Sequence, residues 1–176
     1  MLLSGCGGDA KPGPSSSSTS AASPTTSSPA TSSPATSSPT TDPNIPSAAR
    51  AHTPAGAEAF VRYFYSQLNV AWSKPQAGLI SGLSVATCKT CAALEGSAVE
   101  LASKQQHYAG EVFAVGTVGA IGDSEVLVTG EQPAGAVIDI NGSVVRSKAK
   151  AEKAKFIVTL AWSPGGWRVH EMKVLK

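Results

Sequence analysis

Between residues 7 and 50 the sequence has no aromatic residue and one large aliphatic residue, Ile45. This composition excludes a hydrophobic core there, because too little apolar surface is available to offset the entropy lost on ordering. All ten aromatic residues of the 176-residue chain follow position 50. We therefore predict a disordered Ser/Thr/Pro-rich tether over residues 7–46 and one folded domain over residues 47–176.

The chain also lacks a strong excess of charge of either sign. Fourteen basic residues are set against twelve acidic ones, for a net charge of +2 at pH 7. This balance argues against nucleic acid as a partner. A local exception is a basic run of five residues, Arg146, Lys148, Lys150, Lys153 and Lys155. Such a run is typical of a solvated strand edge, and an anionic lipid or wall polymer is the alternative partner.

Recognised catalytic motifs are absent as well. The sequence contains no glycine-rich phosphate loop, no G-x-S-x-G turn and no H-E-x-x-H motif. Its three histidines, His52, His107 and His170, are far apart along the chain. We therefore expect no metal site and no cofactor, and we assign no catalytic residue.

The N-terminus has the features of a bacterial lipoprotein. Residues 3–6 read Leu-Ser-Gly-Cys, and small residues and the tether follow. An apolar segment of roughly 7–15 residues normally precedes such a cysteine, so we expect a longer precursor and interpret residues 1–6 as the remnant of its signal. We predict that Cys6 carries lipid and anchors the protein to the cell membrane on the extracytoplasmic side. The alternative is a disordered leader with an unmodified cysteine.

The tether itself has a short internal repeat, with prolines at positions 24, 29, 34 and 39. This spacing disfavours helix and sheet and favours an extended, hydrated chain. A flexible coil of about forty residues spans roughly 35 Å, so the domain can stand away from the bilayer.

The other two cysteines, Cys88 and Cys91, form a C-x-x-C pair. Paired cysteines outside the cytoplasm usually oxidise, which favours a structural disulfide. A redox pair would gain reactivity at the start of a helix. In thioredoxin-like proteins, however, a strand precedes the motif, whereas here the preceding sequence is helical. A metal site would need two further ligands.

The first half of the folded domain has helical spacing. Thr53 is a good N-cap and Pro54 is tolerated at the first helical position. Apolar residues then recur every three or four positions until Pro75 interrupts the pattern. The predicted helices cover residues 54–74, 75–82 and 88–110, the last one capped by Thr87.

From Glu111 onward the pattern changes to the alternation that is typical of strands. The pair Asn141-Gly142 is a strong hairpin signal. Helices followed by four to six antiparallel strands predict an α+β fold, with three N-terminal helices packed on a curved, mostly antiparallel sheet. The predicted strands cover residues 111–118, 125–129, 136–140, 156–162 and 167–174.

A family resemblance rests on residues 45–63, which include Ile45-Pro46, His52-Thr53-Pro54 and Gly56-Ala57, and on the segments Cys88–Cys91 and Gly165–Val169. On these residues the domain resembles a family of uncharacterised actinobacterial lipoproteins, a domain of unknown function. The order of elements is also similar to the cone-shaped fold of nuclear transport factor 2, steroid isomerases and polyketide cyclases. The resemblance spans about residues 44–176. It implies a lipid-anchored, cone-shaped domain and no known reaction.

A cone fold would enclose a cavity. We predict that aromatic side chains and a histidine line it, namely Tyr63, Trp72, His107, Tyr108, Trp162 and Trp167. No motif selects a catalytic group among the ionisable candidates Tyr63, Tyr65, His107, Tyr108, Asp139 and His170. Tyrosines on amphipathic elements more often pack in a core with the hydroxyl at the surface.

We expect a non-enzymatic envelope lipoprotein whose domain binds a small apolar ligand or an envelope protein. The alternative is a small isomerase- or hydrolase-like enzyme that uses the same cavity. A third hypothesis is a thiol–disulfide protein that uses Cys88 and Cys91. A closed pocket with a desolvated ionisable group would favour the enzyme, whereas a shallow pocket filled by aromatic side chains would exclude it.

Overall fold

The computed structural model describes residues 44–175. The predicted signal remnant, Cys6 and all but the last three residues of the predicted tether lie outside this range. Within it the fold is α+β, and none of its helices is long and apolar enough to cross a membrane. In chain order the elements are η1 (Ser47–Arg50), α1 (Pro54–Ser73), η2 (Ser81–Leu83), α2 (Lys89–Ser103), β1 (Gln106–Ala109), β2 (Ala114–Ala120), β3 (Glu125–Gln132), β4 (Gly135–Asp139), β5 (Val144–Lys148), β6 (Glu152–Ser163) and β7 (Gly166–Leu175). The elements η1 and η2 are 3₁₀ helices, α1 and α2 are α-helices, and the others are strands.

The strands form two antiparallel sheets rather than the single curved sheet that the sequence predicts. The large sheet has the order β2-β3-β6-β7, and the small sheet has the order β1-β4-β5. Strands β3 and β6 pair directly, with Gln132 opposite Glu152 where the paired region ends. The β4–β5 hairpin therefore leaves the large sheet as an arm, and this arm pairs with β1.

Helix α1 begins as the sequence predicts. Thr53 Oγ1 accepts a hydrogen bond from the backbone N–H of Gly56 at 3.1 Å, and Pro54 occupies the first helical position. The apolar stripe of the helix packs with the inner face of the large sheet in one core. Burying each large side chain contributes about 1.5–3 kcal/mol. The buried large residues of this stripe are Phe60, Val61, Phe64, Tyr65 and Leu68.

The predicted second helix over residues 75–82 is wrong: this segment forms turns and the short helix η2. The carboxylate of Glu95 on α2 accepts hydrogen bonds from the backbone N–H groups of Ile80 at 3.0 Å and Ser81 at 3.1 Å. Gly78 has a φ of +93°, which an α-helix does not allow. A side chain of α2 therefore satisfies donors that a helix would have paired internally.

The predicted third helix starts one residue later and ends much earlier than expected. Cys88 is its N-cap, because Cys88 Sγ accepts from the backbone N–H of Cys91 at 3.2 Å. The helix ends at Ser103, and Gln105 adopts a φ of +53°, which turns the chain. The following residues form β1, paired with β4. Only two of the three predicted α-helices are therefore present in the described part of the chain.

The segment before α1 is attached to β7. Trp167 Nε1 donates a hydrogen bond to the carbonyl oxygen of Ala51 at 2.9 Å. The ring of His52 stacks on that of Trp162, with centroids 4.3 Å apart. Gly56 lies so close to the backbone of Ala51 that a Cβ at position 56 would be 2.0 Å from the Ala51 carbonyl oxygen. The residues that carry the N-terminal part of the family resemblance thus form one packed junction.

Replacing Gly56 with alanine is expected to lower the free energy of unfolding by about 1–3 kcal/mol, because the added methyl group pushes the start of α1 away from the backbone of Ala51. Urea unfolding followed by tryptophan fluorescence measures this change. The matched control is Gly96→Ala in α2, where an added Cβ meets nothing within 4 Å. This substitution should raise the free energy of unfolding by about 0.5–1 kcal/mol. A Gly56→Ala protein as stable as the wild type would contradict the described contact.

Candidate functional site

An apolar cavity of about 260 Å³ lies between α1, α2 and strands of both sheets. At the roughly 30 Å³ that a water molecule takes up in the liquid, this space equals about nine waters. It therefore suits a molecule with a single ring or a short chain. Its apolar wall is formed by Leu68, Trp72, Leu94, Phe113, Phe156 and Met172.

Three aromatic rings form one end of this wall. The ring of Tyr65 stacks on that of Phe113 with centroids 4.8 Å apart, and Phe113 meets Phe156 edge-on at 5.4 Å. Gly130 on β3 makes room for this arrangement, because a Cβ there would lie 2.6 Å from the Phe113 ring. The Phe113 ring packs closely over Gly130, and this close packing holds that part of the wall in place.

Two polar side chains of α1 fix the rest of the wall. Asn69 Oδ1 accepts from the backbone N–H groups of Val112 at 2.9 Å and Phe113 at 3.0 Å, and its Nδ2 donates to the Phe113 carbonyl at 3.0 Å. Trp72 Nε1 donates to the carbonyl of Leu94 at 3.2 Å. Helix α1 is thereby attached both to α2 and to the segment that leads into β2.

The hydroxyl group of Tyr65 has no hydrogen-bond partner. Tyr65 is 1% exposed and lines the cavity, and among the described residues its oxygen is the one buried side-chain polar atom without a partner. Leaving such a hydroxyl unpaired costs about 1–3 kcal/mol. Burial also raises the pKa of Tyr65. The phenol therefore stays neutral at physiological pH and keeps a proton that it can donate.

The mouth of the cavity, which we define by Gln132 and Lys148, is polar. Lys148 Nζ donates to Gln132 Oε1 at 3.0 Å and pairs with Glu152 Oε2 at 2.9 Å. The Lys148 side chain is 29% exposed, whereas that of Glu152 is 68% exposed. Lys148 belongs to the basic run and lies on the edge strand β5. One member of that run thus has a defined place beside the cavity.

Two of the six residues predicted to line a cavity do line this one. They are Trp72 and Tyr108, whose ring centroids are 6.3 Å apart. Tyr63 is partly buried and packs against the core, and His107 lies beside a shallow surface pocket. The prediction missed Tyr65 as a lining residue, although its spacing from Val61 and Leu68 places it on the apolar stripe.

The remaining two predicted residues, Trp162 and Trp167, line a separate pocket of about 180 Å³. His52 covers the Trp162 ring, and Trp167 Nε1 is bonded to the Ala51 carbonyl. These side chains therefore serve the junction before α1 and contribute nothing to the larger apolar cavity.

Chemical groups for metal binding or thiol chemistry are not gathered at the cavity. No group of three or more His, Cys, Asp or Glu residues in the described range could hold a metal ion. The sulfur atoms of Cys88 and Cys91 are at disulfide distance, 2.07 Å, and the two residues are 2% and 1% exposed. Their burial closes the pair to other proteins, which suits a structural bridge better than a redox site.

Alkaline pH tests the burial of Tyr65. Above pH 10 an unfolded tyrosine loses its proton while the folded state retains it, so stability falls by about 1.4 kcal/mol per pH unit. This loss should disappear in the Tyr65→Phe variant and persist in the control Tyr108→Phe. Urea unfolding at pH 8, 10 and 11 compares the three proteins. Parallel losses in the wild type and in Tyr65→Phe would show that the phenol is not buried.

Comparison with solved structures finds matches at low sequence identity. The intermembrane-space region of the chloroplast protein ARC6 superimposes with a TM-score of 0.53 at 15% identity, over 69% of this chain and 95% of that one. This likeness shows the fold alone. Aln2 from a Streptomyces species reaches 0.40 at 18% identity, over 66% and 87% of the two chains.

A protein from Novosphingobium aromaticivorans, provisionally named scytalone dehydratase, reaches a TM-score of 0.34 at 10% identity, over 68% of this chain and 81% of that one. At these last two scores we infer nothing from either protein. No curated protein sequence is significantly similar to the chain. A family profile, however, matches residues 25–173, and the chain thus belongs to DUF6318, a family of unknown function.

Proposed function

We propose that the folded domain binds a small, largely apolar molecule in the 260 Å³ cavity. The observation that carries this proposal is the buried, unpaired hydroxyl of Tyr65 in an apolar wall. Roughly 90% or more of buried polar groups in proteins have a partner, so an exception calls for an explanation. A ligand with one hydrogen-bond acceptor would fill the space, and a small rotation of the Tyr65 ring that brings its hydroxyl to the cavity surface would supply the missing partner.

The lining favours binding over catalysis. A neutral, desolvated tyrosine could stabilise a developing oxyanion, which is a feature of some isomerases. Such a reaction also needs a base to remove the proton. Among the lining residues that the structure describes there is no histidine, aspartate or glutamate. Lys148 also lines the cavity, but Gln132 and Glu152 already engage its ammonium group, so the wall offers a donor without a free base. That combination suits recognition of a carbonyl or ether oxygen.

A matched pair of probes tests the proposal in the full chain. Acetophenone and ethylbenzene have nearly the same size, but only acetophenone has an acceptor oxygen for Tyr65. Both should bind and raise the melting temperature, with acetophenone bound about tenfold more tightly because of the added hydrogen bond. Isothermal titration and fluorescence of the tryptophans, which include Trp72 in the wall, measure the affinities.

Two variants make this test specific. Tyr65→Phe should remove the preference for acetophenone and leave ethylbenzene binding unchanged. Leu94→Phe should fill the cavity and weaken both probes, whereas Val99→Phe on the same helix, at an exposed position, should weaken neither. The proposal fails if neither probe binds, or if Leu94→Phe leaves both affinities unchanged.

We further propose that the protein is a lipoprotein of an actinobacterial envelope, held to the cell membrane by lipid on Cys6 and facing the extracytoplasmic side. The Leu-Ser-Gly-Cys sequence and the Ser/Thr/Pro-rich segment after it support this proposal. We also interpret the fold as the cone-shaped one that the sequence resemblance implies. Its support is the cavity between the helices and the two sheets.

Lipidation is tested by producing the natural precursor in an actinobacterial host and separating membrane from soluble fractions. The wild type should be in the membrane fraction, with a diacylglyceryl group on Cys6 by mass spectrometry. Cys6→Ala should move the protein to the soluble fraction, whereas the double variant Cys88→Ala/Cys91→Ala should stay with the membrane. Membrane association that survives Cys6→Ala would contradict the proposed anchor.

A further inference from the structure

We propose that the cavity ligand is an organic acid, with its apolar body inside and its acidic group held by Lys148 at the mouth. This inference rests on the ligand-binding function proposed above. It adds the charge of the ligand and the direction in which the ligand enters. The observation that supports it is the distribution of charge along the cavity wall.

That distribution is one-sided. Of the twelve lining residues, Lys148 is the one with a charge at neutral pH, and none is acidic. The rest of the wall is apolar or neutral, so little water screens a charge placed inside. A cation at the edge of such a space attracts an anionic group and repels a cationic one. An acid is therefore the ligand class that the wall selects.

Lys148 is also placed to accept a further partner. An ammonium group has three N–H donors, and its described partners Gln132 and Glu152 use two of them. The Lys148 side chain is 29% exposed and lines the cavity, so its ammonium group lies at the boundary between the cavity and solvent. One donor thus remains for an oxygen of the ligand.

Glu152 competes only weakly for this position. Its side chain is 68% exposed and does not line the cavity. Solvent screens an exposed ion pair strongly. A ligand acid bound at the mouth can therefore replace or share this contact while its apolar body fills the space that Glu152 does not reach.

The inference is tested with compounds that share one body and differ in head-group charge. At pH 7 phenylacetate is an anion, 2-phenylethanol is neutral and 2-phenylethylammonium is a cation. We expect phenylacetate to bind about tenfold more tightly than the alcohol, and the ammonium compound to bind most weakly. Since a phosphate ester offers the same anionic oxygens, 2-phenylethyl phosphate is a further arm, and the tighter of the two acids identifies the acidic group.

Three variants separate a direct role of Lys148 from a structural one. Lys148→Gln should weaken phenylacetate about tenfold and leave 2-phenylethanol unchanged. Glu152→Gln should tighten phenylacetate, because the competing carboxylate is gone, which a purely structural role of the ion pair would not produce. Lys153→Gln, a lysine of the same basic run that does not line this cavity, is the control and should change neither affinity.

The outcomes distinguish this inference from the function on which it depends. If acetophenone, ethylbenzene and the phenyl compounds all fail to bind, the proposed function fails and the inference fails with it. If the three phenyl compounds bind equally in the wild type and in Lys148→Gln, the cavity binds apolar molecules and the organic-acid inference alone is overturned. Preference for the acid that Lys148→Gln removes, with the alcohol unaffected, supports both.

Discussion

Burial of one face of α1 in the core that it shares with the large sheet is the interaction on which the rest of the structure depends. Phe60, Val61 and Phe64 are fully buried there. Further along the same stripe, Tyr65 and Leu68 line the cavity. One helix therefore contributes both to the close-packed core and to the wall of the cavity. Because the core is close-packed, packing alone sets the position of the residues of α1 that line the cavity.

The sequence was sufficient for elements whose shape is decided locally. Thr53 and the apolar spacing after it predict α1, and Asn141-Gly142 predicts the turn that β4 and β5 flank. The sequence was insufficient where contacts with distant parts of the chain decide the local structure. Residues 106–109 continue a helical pattern, yet they pair with β4, which follows in the chain only after β2 and β3. Likewise, residues 75–82 do not form a helix, because Glu95 bonds their backbone N–H groups.

The same distinction applies to the candidate site. Trp72 and Tyr108 could be anticipated from their aromatic character and from the cone shape that the resemblance implies. Phe113, Phe156 and Met172 belong to elements that meet only in the folded chain, and no local pattern connects them. The missing partner of the Tyr65 hydroxyl could not be anticipated either. It is a property of all the side chains around that atom, whereas periodicity shows only that Tyr65 faces inward.

The β4–β5 arm has a consequence for how members of this family can diverge. Strands β3 and β6 pair with each other directly, so the large sheet does not need the arm that is inserted between them. Lys148, the charged residue of the mouth, is on this arm, while the apolar wall belongs largely to the helices and the large sheet. Under the proposed function, insertions, deletions and substitutions in the arm would alter which molecules enter without disturbing the core. The charge at the mouth and the stability of the core therefore depend on largely separate stretches of the chain.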